Sequence, residues 1–133
     1  MNQLQKEEYM QRAIELAKKG IHSCKPNPRV GCVIVKNDMI IGEGWHKKTG
    51  GDHAEIMALK NCEDNPEGSS VFVSLEPCTH KGRTPPCVDA LINANVSSVL
   101  FSSMDPNPQV SGKSIHLLEA AGIEASHGLL EEE

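Results

Sequence analysis

Apolar and polar positions alternate along this chain with two different periods. Over 7–19, EEYMQRAIELAKK, the apolar residues Tyr9, Ala13, Leu16 and Ala17 recur at helical spacing. Lys18 and Lys19 suit a last helical turn, and Gly20 suits the position just past it. The run RVGCVIVKNDMIIGEGWH reads as a hairpin, with VGCVIV and MIIGEGW as strands and KND as the turn. GGDHAEIMALKNC predicts a helix opened by Asp52 after two glycines, and SSVFVSLE predicts a strand stopping just before Pro77 and Cys78. TPPCVDALINA begins with prolines suited to a first turn and continues as a helix. VSSVLFSSM then predicts a strand, KSIHLLEAAG a helix and IEASHG a last short strand. The order αββαβαβαβ implies one layered α/β domain over residues 1–133, its sheet mostly parallel beyond the first hairpin.

Composition narrows the class. Aromatic residues make up 3% of the 133 residues, so an aliphatic core of Ile, Val, Leu and Ala is expected. The net charge of −5 and the scarcity of rings argue against general nucleic-acid binding, which needs a basic face and stacking platforms. The first twenty residues are charged throughout and lack the apolar stretch of a secretory signal, and no apolar run approaches the length of a membrane span. A cytoplasmic protein is expected. There its five cysteines stay reduced, which favours metal binding or chemistry over a disulfide framework.

The segment LEPCTHKGRTPPC supplies that chemistry. Cys78 and Cys87 offer two thiolates, and His53 in HAE offers an imidazole on a separate element; together they are a donor set that zinc prefers. His53 and Cys87 each fall at a predicted helix start, where the positive end of the dipole favours thiolates and other anions. Residues two apart diverge inside a helix, so His53 and Glu55 serve one centre only at a helix end. Two thiolates cancel the charge of Zn²⁺, so a nearby carboxylate is needed to take a proton from water, a role that falls to Glu55. His/Cys/Cys zinc with a non-ligand Glu is the arrangement of zinc deaminases. Cys32 reads as strand core, Cys62 as the close of a helix, and His22, His116 and His127 as ordinary helix, loop or surface residues.

At PNPRVGCVIV, GEGWH, DHAEIMAL, LEPCTHKGRTPPC and DPNPQVSGK the sequence resembles the deaminase domain of the bifunctional RibD family of riboflavin biosynthesis, from about residue 9 to residue 130. The eight-residue spacer THKGRTPP separates it from the PCxxC pattern of most other base deaminases. The resemblance implies a cytidine deaminase-like three-layer α/β/α sandwich with a central mixed, mostly parallel five-stranded sheet. It also implies a zinc-dependent hydrolase that removes the 2-amino group of diaminohydroxyphosphoribosylaminopyrimidine. Carried onto this chain, the zinc ligands are His53, Cys78 and Cys87, and Glu55 carries the proton. Asn27, His46 and His80 line the pyrimidine pocket, Arg83 meets the phosphate, and Asp105 and Asn107 hold the ribose. Lys113 is a second phosphate candidate. Gly-Lys-Ser at 112–114, where Gly-Lys-Gly is usual, departs slightly from the family. A homo-oligomer is expected. An NADPH-dependent reductase domain accompanies this one in the family; no GxGxxG loop occurs in these residues, so reduction would fall to a further domain or partner. Two other readings stand beside this one: a zinc deaminase of another base or nucleoside, and a structural zinc module with His80 or Cys62 as fourth ligand.

Overall fold

The computed structural model describes residues 2–19, 30–45, 53–75, 87–103 and 112–130. Along the chain run α1 (Gln3–Lys18), β1 (Gly31–Lys36), β2 (Met39–Trp45), α2 (Ala54–Lys60), β3 (Ser70–Leu75), α3 (Cys87–Asn93), β4 (Ser98–Ser103), α4 (Lys113–Ala120) and β5 (Glu124–His127). The predicted order of elements is the observed one. α1 starts four residues earlier than its apolar period indicates, because Asn2 and Gln5 form a reciprocal capping box: the Asn2 side chain accepts from the Gln5 amide at 2.8 Å, and the Gln5 side chain accepts from the Asn2 amide at 3.0 Å.

The five strands form one sheet in the order β2-β1-β3-β4-β5. β1 pairs antiparallel with both β2 and β3, while β3–β4 and β4–β5 are parallel. Four strands therefore share one direction, and β1 alone opposes them. The hairpin turn is Asn37–Asp38, whose φ of 53° and 60° is the left-handed pair that a two-residue type I′ turn demands.

Alternation along the strands divides the core between the two faces of the sheet. Val33, Val35 and Phe72 face α1 and pack with its Met10, Ala13, Ile14 and Leu16. Cys32, Ile34, Val71, Val73, Val99 and Phe101 face the other way, onto Ala54 and Ala58 of α2, Val88 and Leu91 of α3, and Leu118 of α4. The result is three layers, with one helix on one side and three on the other. The core is aliphatic in the main. Both phenylalanines of the chain nevertheless sit in it, Phe72 on one face and Phe101 on the other, and they are its largest fully buried side chains. Among the described residues, no helix is long and apolar enough to cross a membrane.

Candidate functional site

Topology brings the described part of the predicted site, the starts of α2 and α3, to one edge of the sheet. β2, β3 and β4 are co-directional, and α2 and α3 are the crossovers between them. Each crossover helix runs back against the strands, so its N-terminus lies at the edge where β2 and β3 end. Open α/β sheets bind their ligands at that edge. His53 is the N-cap of α2 and Cys87 is the first residue of α3. Both predicted helix starts are thus where the sequence puts them. One correction applies: the N-cap is His53 rather than Asp52, which lies outside the described residues.

The His53 backbone is extended, with φ −70° and ψ 165°, and its side chain makes no capping hydrogen bond. Its carbonyl accepts the first bond of the helix, from the Met57 amide at 3.0 Å. Glu55 lies in the first turn, 3% exposed, the one buried carboxylate among the described residues. Burial pushes the Cys32 thiol well above its ordinary range, with the charges of Glu55 and Cys62 adding to the effect. Cys32 is therefore a neutral apolar neighbour beneath Glu55, matching its reading as strand core. Burial and the charge of Asp64 also raise the Cys62 thiol.

α2 sits on bare backbone. A Cβ built on Gly44 would lie 2.5 Å from the Ala58 nitrogen, 2.6 Å from the Ala54 oxygen and 2.7 Å from the Met57 Cβ. One built on Gly42 would lie 2.5 Å from the Ala58 oxygen and 2.8 Å from the Cys62 sulfur. Only residues without a side chain allow so close an approach. On the opposite face of β2, Arg12 of α1 grips Glu43 through two bonds of 2.6 and 3.1 Å, and the Lys19 ammonium lies 4.8 Å from the centre of the Trp45 ring. Asn61, the C-cap of α2, donates to the Glu43 carbonyl at 3.0 Å. Sequence reasoning missed this bracing of β2. The glycines two apart in GEGW were its one available signal, since strand interiors keep glycine where another backbone comes close.

Asn27, His46, Cys78, His80, Arg83, Asp105 and Asn107 lie outside the described residues, and for Cys87 the description stops at the backbone. Among the described residues no three His, Cys, Asp or Glu side chains converge as a metal site. The donors still fit zinc in kind: an N-cap histidine and a helix that begins at a cysteine share one edge, and β3 ends three residues before Cys78. Lys113 is the first residue of α4, exposed, after Gly112 with a φ of 85°.

Residues 3–103 match the family described as the cytidine and deoxycytidylate deaminase zinc-binding region. The chain belongs to this deaminase family. Riboflavin biosynthesis protein RibD of Escherichia coli (strain K12) is 52% identical over 127 residues, which cover 96% of this chain and 35% of that protein. The diaminohydroxyphosphoribosylamino-pyrimidine deaminase of Buchnera aphidicola subsp. Schizaphis graminum (strain Sg) is 52% identical over 125 residues, 94% of this chain and 85% of that protein. Among solved structures, Acinetobacter baumannii RibD, form 1, superposes with a TM-score of 0.96 at 51% identity, covering 98% of this chain and 37% of that one. The chain thus spans about a third of the length of the RibD relatives and most of the length of the shorter deaminase. The cytidine deaminase-like fold expected from the sequence is the fold observed.

Proposed function

We propose that this deaminase domain hydrolyses diaminohydroxyphosphoribosylaminopyrimidine, exchanging its 2-amino group for oxygen and releasing ammonia, a step of riboflavin biosynthesis. The observation that carries the reading is the 52% identity to the Buchnera aphidicola deaminase along 85% of its length. The motif LEPCTHKGRTPPC supports it from the sequence side.

In this reading His53, Cys78 and Cys87 hold the zinc, and Glu55 is the proton carrier. When bound, zinc supplies a Lewis acid that makes water a nucleophile at neutral pH. Glu55 takes the proton that water gives up and delivers it to the ring nitrogen and then to the departing amine. A C–N bond is exchanged for a C–O bond, and one water is consumed for each ammonia. The burial of Glu55 in the first turn of α2 keeps its carboxylate from bulk water, so its protons go to the substrate. Asn27, His46 and His80 supply hydrogen-bonding groups for the pyrimidine edge. Arg83 offers the phosphate a fork of donors, with Lys113 as a second cation, and Asp105 and Asn107 accept and donate to the ribose hydroxyls.

The test is ammonia release by the purified zinc-loaded chain from the phosphoribosylated pyrimidine, from its dephosphorylated form and from cytidine. One zinc per chain and a strong preference for the phosphorylated pyrimidine are expected. Turnover of cytidine with none of the phosphoribosyl compound would replace this reading with deamination of another base.

A further inference from the structure

We propose that Gly44 is a positioning residue: its missing side chain sets the depth at which the first turn of α2 seats His53 and Glu55 on the sheet. The proposal rests on the reading above for what those two residues do, and on geometry for the rest. A methyl group at 44 would press on the Ala54 oxygen and the Ala58 nitrogen, the carbonyl and amide that face each other across the opening turn of α2. Both atoms belong to the turn that carries Glu55, and Ala54 follows directly on His53.

The strain of such a methyl has one outlet. β2 is held against retreat by the β1 ladder at its inner edge, where Gly44 pairs with Cys32, and by Trp45 packed on the α1 cluster, with the two Arg12–Glu43 bonds adding to the hold. α2 cannot slide as a unit either, because Asn61 ties its C-terminal end to the Glu43 carbonyl. The helix has only seven residues and no side-chain cap at its N-terminus. It must therefore tilt, its first turn lifting while its last turn stays. Gly42 lies under that last turn, against the Ala58 oxygen and the Cys62 sulfur. The two glycines are thus matched in crowding but opposed in consequence.

The experiment compares Gly44→Ala with Gly42→Ala by melting temperature, zinc affinity from chelator competition, and steady-state deamination. Both variants are expected to melt several degrees lower. Only Gly44→Ala should lose zinc affinity by about 10–100-fold, the usual penalty for displacing the support of a metal ligand, with kcat falling and KM holding. Gly42→Ala should stay within about threefold of the parent in zinc affinity. Equal zinc affinities in the two variants would overturn the proposal whatever the substrate proves to be, because that readout needs no turnover. If Gly44→Ala cannot be recovered folded, Arg12→Met and Arg12→Lys carry the test by releasing β2 from the other side. Arg12→Met should weaken zinc by about 3–10-fold and Arg12→Lys should restore most of it, whereas parental affinity in Arg12→Met would overturn the proposal.

Discussion

α1 and α2 pack on opposite faces of the same hairpin and are held there in opposite ways. α1 has sixteen residues, a complete capping box, and polar grips along its length: Tyr9 to the Asp38 carbonyl at 3.0 Å, Arg12 to Glu43, and Lys19 over Trp45. α2 has seven residues and no side-chain cap, and it rests on two glycines while burying a carboxylate in its first turn. The long helix is built to be stable on its own account. The short one depends on fit, and it carries two of the residues proposed for the chemistry. Most of the polar anchoring thus lies on one side of the strand pair and the proposed chemistry on the other.

Removing only the proton carrier from the α2 side should leave stability alone. Glu55→Gln keeps the shape of the side chain but cannot carry a proton. We expect kcat to fall by about 10²–10⁴-fold, with zinc content and melting temperature retained. Loss of zinc would make Glu55 a ligand, and retained turnover would make HAE an ordinary helix start.

Breaking the structural side should do the reverse. A Cβ at Gly31 would fall on the Ala13 carbonyl oxygen and 2.7 Å from the Ala17 nitrogen, both in α1. Gly31→Ala should therefore cost about 1–3 kcal/mol of stability, as overpacking does, while kcat per folded molecule holds. A lost kcat at an unchanged melting temperature would erase the contrast between the two helices.

The smallest effect is a matter of pH. The Arg12 hydrogen bond lowers the Glu43 carboxyl below its ordinary 4.5, outweighing the opposing effect of burial, with the charges of Arg12 and Lys19 adding to the lowering. A depressed folded value means that the pair stabilises above pH 4.5 and that this stabilisation is lost as pH falls through the folded value. Arg12 and Glu43 stand at a partly exposed rim, so solvent screening keeps the contribution below about 1 kcal/mol. The melting difference between the parent and Glu43→Gln should be visible at pH 7, shrink in high salt, and close as pH falls through the lowered Glu43 value. A difference that persisted once Glu43 is protonated would assign the effect to packing.

The element order was legible because aliphatic alternation and breakers mark each segment separately. The reversal of β1 against β3 was not anticipated, although its signal was present. GCVIV is continuously apolar and reads as an interior strand, while MIIGEGW is mixed and reads as an edge, which fits β1 lying between β2 and β3. The Asn2–Gln5 box went unread, because it lies ahead of the stretch where the apolar period begins. At the site, the start of α2 at His53–Glu55 and of α3 at Cys87 followed from residue types at helix ends. The Arg12–Glu43 bond was not legible, because residues 31 apart in sequence meet only once the layers are assembled. The roles of Asn27, Arg83, Asp105 and Asn107 came from family motifs, since polar residues beside proline are as common in plain turns.

The left-handed pair at Asn37–Asp38 bears on how quickly the chain finds its fold. It closes the shortest loop between any two paired strands, so the entropy lost in joining β1 to β2 is small, whereas β3 must reach β1 across more than thirty residues. The hairpin can form within microseconds and hold out the free edge of β1 as a template on which β3, then β4 and β5, add in turn. We expect refolding to nucleate there. Asn37→Ala, strained in the turn, should slow refolding more than it speeds unfolding. The opposite partition would put the nucleus in the parallel half of the sheet.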